Sequence, residues 1–294
     1  MTRGGPIVEC VPNFSEGRDA RVIDSIERAI RTAPVAVLDR TSDPDHNRSV
    51  ITFAGPPEAV SEAGFRAVAE AARRIDLARH SGVHPRIGAA DVVPFVPVRE
   101  IDLEACVQIA RITGERIWRE LGVPVYLYEA AALRPECANL PEIRRDPTRR
   151  PDFGDVARHP TAGATVVGAR KFLIAFNVNL TTADVAIAKR IAAKIREASG
   201  GLPCVKALGV PLASRKLAQV TMNLTDFERT PVHVVFAAVR EEAAREGAGI
   251  AGSEIAGLIP EGALEGAEEW LPTVENFRDE LILENRLRQA GLLE

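Results

Sequence analysis

His84 stands in the run Ser81 to Val98, SGVHPRIGAADVVPFVPV, between Gly82 and Gly88, directly ahead of Pro85 and close to Arg86. Pro85 has no N–H and biases the residue before it toward extended backbone, so His84 cannot sit inside a regular helix. The apolar run that follows reads as a buried strand. The pattern holds an imidazole on a stiff loop at the mouth of a strand, with a guanidinium nearby. Imidazole is the side chain best suited to move protons near neutral pH, and guanidinium binds anions. A histidine before proline can equally cap a carbonyl in a structural turn, and the local pattern leaves both uses open. His80 and His84 are spaced as two zinc ligands on a helix would be. Gly82 and Pro85 break such a helix, no acid follows either histidine in a metalloprotease pattern, and no metal site is expected.

The scaffold that must carry this loop is soluble and globular. The 294 residues are 46% hydrophobic and 27% charged, enough for one large domain or two ordinary ones. A formal charge of −4 gives no general affinity for nucleic acid or anionic membrane, so an anionic ligand must be met by local arginines and lysines. Cys10, Cys106, Cys137 and Cys204 lie far apart without a C-x-x-C pair, which suits a reducing cytosol. No signal peptide or membrane-length apolar stretch is read, and a cytoplasmic protein is expected.

The first half reads strand, helix, strand, strand, helix, strand. The strands are expected at Ile7 to Phe14, Val35 to Asp39, Ser49 to Ala54 and Val92 to Val98. Helical spacing of Val22, Ile23, Ile26, Ala29 and Ile30 marks the first helix, and Pro57 to Ile75 the second. Thr41 to Arg48 reads as a polar turn. A helix from Asp102 to Leu121 and a strand from Pro124 to Tyr128 follow. Residues 138–163 show no apolar period and read as a long irregular connection, functional or disordered. Its arginines Arg144, Arg145, Arg149 and Arg150 are read as solvated surface sooner than as a binding patch.

The second half repeats the grammar. Strands are expected at Leu173 to Leu180, Pro203 to Val210, Leu217 to Leu224 and Ile250 to Ile255, with helices from Thr182 to Ala198 and Pro231 to Glu246. Two short helices, near Glu261 to Leu271 and Asp279 to Ala290, complete the chain. The order βαββαβ, seen twice, predicts an α+β protein of two ferredoxin-like subdomains, 1–172 and 173–294, each an antiparallel sheet with helices on one face. That fold hosts enzymes, regulators and RNA binders alike. With 5% aromatic residues and no stacking motif on the central strands, RNA binding is not expected.

The segments IVECVPNFSEGR (from Ile7), NRSVITFAGPPE (from Asn47), HPRIGAADVVPFVPV (from His84), GVPVYLYE (from Gly122), GARKFLIAFNVNL (from Gly168), LAQVTMNLTDFE (from Leu217) and GSEIAGLIP (from Gly252) together resemble the glutamate formiminotransferase family. The likeness is collinear from about residue 7 to 290, with no room for the cyclodeaminase that accompanies some members. The resemblance implies transfer of a formimino group between N-formimino-L-glutamate and N5 of tetrahydrofolate, a co-substrate, in histidine breakdown. It implies two α/β subdomains with the ligand in a cleft between them, and a homodimer. It places the catalytic histidine on His84. It places a folate-contacting loop on Gly154, Asp155, Val156, Ala157, Arg158, His159, Pro160, Thr161, Ala162 and Gly163.

Both substrates end in carboxylates and need fixed cations. Arg86, Arg48, Arg170 and Lys171 lie in the matching segments; each is either a ligand contact or a surface ion pair. Asp39 is a candidate to orient His84, and Asn13 either donates to folate or closes a turn. Thr41 stands where family forms carry an acid, and Ala162 where they carry an aromatic that could pack on the pterin. The same scaffold and base would also serve a folate-dependent formyltransferase acting on N-formylglutamate, and a non-catalytic folate-binding module would keep the fold.

Overall fold

The computed structural model describes residues 4–44, 46–81, 86–146 and 148–294. The chain divides into two compact units, one running to Arg170 and including Leu287–Glu294, the other Lys171–Arg286. Both are α+β.

In the first unit the leading apolar run is broken. It forms β1 (Ile7–Cys10) and β2 (Asn13–Phe14), because Pro12 has no N–H to offer the ladder. Helix α1 (Ala20–Ile30) is capped by Asp19, whose carboxylate accepts the Arg21 N–H, and buries Ile23, Ile26 and Ile30 along one stripe. Strands β3 (Ala36–Asp43) and β4 (Arg48–Gly55) pair antiparallel as far as Asp43 against Arg48. The polar stretch expected as a turn from Thr41 is thus strand up to Asp43, since an edge strand tolerates polar residues. Helix α2 (Pro57–Arg74) presents Ala59, Ala63, Ala67 and Ala71 to the sheet, small side chains that bring helix and sheet close. Strand β5 (Ala90–Arg99), helix α3 (Leu103–Leu121, capped by Asp102) and strand β6 (Val125–Glu129) follow.

Two elements correct the expected order. The connection over residues 138–163 contains helix α4 (Leu140–Arg145), whose Ile143 is buried. Strand β7 (Thr165–Ala169) then slots between β5 and β6, parallel to both. This sheet is therefore mixed rather than antiparallel. Its order is β3-β4-(β1, β2)-β5-β7-β6, with β1 and β2 acting as one interrupted strand between β4 and β5. Parallel strands are normally covered on both faces. Val125, Leu127 and Val167 face the helical core, while Tyr126, Tyr128 and Val166 pack with Cys137 and Ile143. Helix α4 exists to cover that second face; a six-residue helix with one buried apolar side chain leaves no period to read.

Helices α1 and α2 are joined by a charge clamp. Glu70 accepts from Arg73 (2.6 Å) and Arg74 (2.9 Å) on its own helix and from the Ser25 hydroxyl on α1. Burial works to raise the Glu70 carboxyl, but these donors win and hold it down at about 2. Because its folded value lies below the ordinary one, this stabilisation is complete above the unfolded value near 4.5 and is lost as pH falls toward 2. Glu70→Gln is expected to cost about 1–3 kcal/mol at neutral pH, and urea melts should show the difference from the parent shrinking below pH 4.

The second unit contains β8 (Ile174–Leu180), α5 (Val185–Ile195), β9 (Val205–Leu212), β10 (Leu217–Leu224), α6 (Val232–Arg245) and β11 (Ile250–Ala256). Its sheet has the order β11-β8-β10-β9, antiparallel throughout. Phe176, Phe236 and Trp270 anchor its core, Trp270 meeting Phe176 edge-on at 5.5 Å. The helix expected near Glu261 to Leu271 is instead short 3₁₀ turns at Glu261–Leu264 and Leu271–Thr273. The last helix shortens to a 3₁₀ turn at Asp279–Leu281 and α7 (Leu283–Gln289). Pro231 and Pro260 directly precede their elements and Pro272 is second in its turn, positions where a missing N–H costs no helical hydrogen bond.

Candidate active site

His84 lies outside the described residues, as do its neighbours Gly82, Val83 and Pro85. The two sides of that segment are described, and one residue holds both. Asn47 donates from Nδ2 to the Ser81 carbonyl (3.0 Å), and its own carbonyl accepts from Arg86 Nη1 (3.0 Å). Its Oδ1 accepts the Gly17 N–H (2.9 Å). Asn47 is buried with φ of +48°, a left-handed conformation that asparagine tolerates better than most residues. Sequence reading placed it in a polar turn and at the head of a matching segment, with no role assigned to it. Its one signal was an asparagine just before a strand, where αL residues close turns. Asn47→Ala removes two side-chain hydrogen bonds at a strained position; a loss of about 2–4 kcal/mol is expected in chemical denaturation.

Arg86 also donates from Nη2 to the His46 carbonyl (2.8 Å), and its Nη1 lies 2.7 Å from Nε2 of His80. Burial, then the Arg86 charge, holds the His80 imidazole below its usual value, which favours the neutral ring that can accept this bond.

Downstream of Arg86 the backbone is stitched to the loop expected to touch folate. Ala89 N–H donates to the Ala162 carbonyl and Ala164 N–H to the Ile87 carbonyl, both at 2.8 Å. Gly88 and Gly163 pair across this seam. A Cβ on Gly88 would lie 1.9 Å from the Ala164 oxygen, so only glycine permits the approach. Within the loop, His159 and Gly163 exchange both backbone hydrogen bonds, and His159 Nδ1 accepts the Ala162 N–H (3.1 Å). Gly154 enters at φ +132°. Asp155, Val156, Arg158, Pro160 and Thr161 are exposed, and the Ala157 carbonyl faces the Tyr126 hydroxyl at 3.5 Å. The Ala162 methyl is buried in the helical core, so this side chain lies in packing rather than on an open surface.

Asp91 was not singled out from the sequence, yet it organises the loop. Buried at the head of β5, its Oδ1 accepts the N–H groups of Ile87 (2.6 Å) and Gly88 (3.3 Å), and its Oδ2 pairs with Arg144. Arg144, read as solvated surface, is instead a mostly buried partner on α4. The legible signal was an acid inside an apolar strand, since a buried carboxylate needs a partner.

Arg48, Arg86 and Arg144 influence one another. Burial, then Arg144, works against the charged form of Arg48; burial and Arg144 do the same at Arg86, with Asp91 opposing in both cases. Guanidinium stays protonated regardless, so the crowding leaves positive potential that attracts an anion, best a carboxylate in bidentate contact.

The remaining sequence candidates are dispersed. Asn13 Nδ2 donates to the Val11 carbonyl (3.2 Å), closing its own turn. Asp39 sits on β3 opposite Thr52. The Arg170 N–H donates to the Phe95 carbonyl (3.1 Å), and its guanidinium lies by Tyr128, whose hydroxyl burial pushes up to about 12. Lys171 belongs to the second unit, its ammonium 2.7 Å from Asp226 and 3.2 Å from Glu228, an ion pair at the surface. Among the described residues no group of three or more His, Cys, Asp or Glu side chains gathers as a metal ligand set. No helix there is long and apolar enough to cross a membrane.

Arg48, Arg86 and Arg144 lie close enough to Asp91 to feel its charge, and they form a basic cluster on an α+β scaffold. Family profiles for the formiminotransferase domain match residues 7–170 (its N-terminal subdomain) and 175–288. The chain is 45% identical over 294 residues to glutamate formimidoyltransferase of Streptococcus pyogenes serotype M1, covering 96% of this chain and 98% of that one. It is 43% identical over 302 residues to the protein of that name from Thermoplasma acidophilum, covering 98% and 99%. It is 46% identical over 276 residues to formimidoyltransferase-cyclodeaminase of Mus musculus, covering 88% of this chain and 51% of that protein. The chain belongs to the formiminotransferase family.

Proposed function

We propose that this chain is a glutamate formimidoyltransferase that moves the formimino group between N-formimino-L-glutamate and N5 of tetrahydrofolate, a step of histidine degradation. End-to-end similarity to relatives bearing that name carries the reading. The cationic group of Arg48, Arg86 and Arg144 beside the histidine loop supplies a chemical reason for it.

The chemistry follows from the substrates. The N5 lone pair attacks the electrophilic formimino carbon and builds a tetrahedral carbon bearing three nitrogens. N5 must then lose its proton while the glutamate nitrogen gains one, or the adduct reverts. His84 takes the N5 proton and returns one to the glutamate amine as its C–N bond breaks, leaving 5-formimino-tetrahydrofolate and glutamate. Arg86 and Arg48 hold a substrate carboxylate, and the loop from Gly154 to Gly163 contacts folate. We read both units as ferredoxin-like. The strand order of the second supports this, as does the first once β6 and β7 are set aside as an addition. A homodimer is part of the same reading.

The test is direct. The protein is incubated with tetrahydrofolate and either N-formimino-L-glutamate or N-formyl-L-glutamate, and N5-substituted folate is followed. Product from the formimino donor is expected. Product from the formyl donor alone would make it a formyltransferase, and folate binding without turnover from either donor would make it a binding module.

A further inference from the structure

The guanidinium of Arg86 is held by partners of two kinds. Its Nη1 donates to the Asn47 carbonyl (3.0 Å) and its Nη2 to the His46 carbonyl (2.8 Å). Backbone carbonyls accept at any pH. The other partner is the His80 ring, whose Nε2 lies 2.7 Å and Nδ1 3.0 Å from Nη1. An arginine N–H only donates, so the ring must offer it a lone pair. A neutral imidazole has one; an imidazolium has none and carries a positive charge of its own.

The backbone that presents this ring is fixed on both sides. His80 closes a 3₁₀ turn, Leu77–Arg79, in which the Asp76 carboxylate accepts the Ala78 N–H. The Leu77 N–H donates to the Thr161 carbonyl (2.9 Å) and the His80 N–H to the Leu77 carbonyl (3.2 Å). The next carbonyl, that of Ser81, accepts from Asn47. Among the described residues the charged groups acting on the half-buried ring are Arg86 and Glu16, and the Ser15 and Asn47 carbonyls also face it. Burial and the Arg86 charge oppose protonation, Glu16 and the two carbonyls favour it, and the first pair prevails. The ring is therefore neutral at neutral pH and takes its proton below the ordinary histidine value of about 6.5. Arg86 itself is drawn by Asp91 and repelled by Arg144 and Arg18, so it has no fixed counter-ion in contact to hold it if His80 turns against it.

We propose that His80 is a positioning residue for Arg86: neutral, it accepts from Nη1 and fixes the guanidinium plane; protonated, it becomes a donor and a like charge and displaces that plane. The assignment rests on the reading above in which Arg86 holds a substrate carboxylate. Bidentate contact depends on the orientation of the guanidinium, so the carboxylate is bound well while His80 is neutral and poorly once it is protonated. Both substrates end in carboxylates, and the experiment tells which of them Arg86 serves. No proton transfer to substrate is assigned to His80, so kcat keeps the pH dependence that His84 gives it.

kcat and the KM for each substrate are measured from pH 8 to pH 5 on the full chain, on His80→Gln and on His80→Leu, each checked for parental melting behaviour. Carboxyl groups titrate near about 4 and stay largely ionised over this range. Glutamine offers an acceptor that does not titrate; leucine offers none. In the parent, KM for one of the two substrates should rise at least about fivefold on acidification. In His80→Gln that KM should change less than about twofold with pH while kcat keeps its acid limb. In His80→Leu it should already be raised at least about fivefold at pH 8. The midpoint of the parental rise should coincide with the titration of the His80 ring followed by NMR, and that titration should move to higher pH in Arg86→Met. A rise that persists in His80→Gln overturns the assignment, as does a KM that falls on acidification because the added charge attracts the carboxylate. Both KM values moving together with kcat would mean a loosened fold and overturns it too. Should His80→Gln not fold, the coincidence of the two midpoints decides in the parent alone. Turnover by the parent with neither KM responding to acid defeats only this assignment. A parent without turnover defeats the proposed activity and this assignment together.

Discussion

Replacing His84 with alanine is expected to lower kcat by about 10²- to 10⁴-fold, the range that a positioned general base contributes. KM for both substrates should move by less than about threefold, because the imidazole is assigned to proton transfer and not to substrate binding. The acid limb of the kcat profile should vanish with it. Ser81 and Arg86, the described residues on either side of the histidine, are both tied to the buried Asn47. Gly88 and Gly163 extend the anchorage into the neighbouring loop. Acid–base help is efficient when the group is already positioned for its substrate. A loss below about tenfold would remove His84 from the base role while leaving the transferase reading intact.

Long periodic elements were legible in the sequence. The stripe of Ile23, Ile26 and Ile30 and the alanine face of α2 each declared a helix, and the alternation through β8 and β10 declared strands. What escaped was short or set by tertiary contact. Strand β7, only Thr165–Ala169, carries no alternation because both of its faces are buried. Without it the sheet reads as antiparallel; with it, β5, β7 and β6 run parallel. At the candidate site, Arg48 and Arg86 were named from the sequence because they lie in the matching segments, Arg86 also for flanking His84. Arg144 was not. It sits in a run of arginines that looks solvated, and only the fold brings it to Asp91. Lys171 shows the converse: the sequence left it as a ligand contact or a surface ion pair, and the structure pairs it with Asp226 and Glu228.

Asp91→Ala is expected to destabilise the chain by about 3–5 kcal/mol, the usual consequence of leaving one member of a buried ion pair uncompensated. The substitution strips the Ile87 and Gly88 N–H groups of their acceptor and leaves the Arg144 guanidinium without its buried counter-charge. Asp91→Asn separates these effects. The amide oxygen still accepts both N–H groups, so the loop keeps its shape while the charge pairing is lost. Arg144→Met alone leaves a buried carboxylate unpaired, and should approach the cost of Asp91→Ala. Combining Asp91→Asn with Arg144→Met removes both charges and should recover stability over either single change, by about 1–3 kcal/mol in a double-mutant cycle from denaturation midpoints. Additive losses would mean that the pair is not energetically coupled, and that Asp91 acts on the loop through its backbone hydrogen bonds alone. Coupling matters for function because Asp91 is the acid set among Arg48, Arg86 and Arg144. Neutralising it raises the positive potential there. Asp91→Asn should therefore bind the carboxylate substrate at least as tightly as the parent even while it unfolds more easily, an opposition of signs that a general loosening of the fold cannot produce.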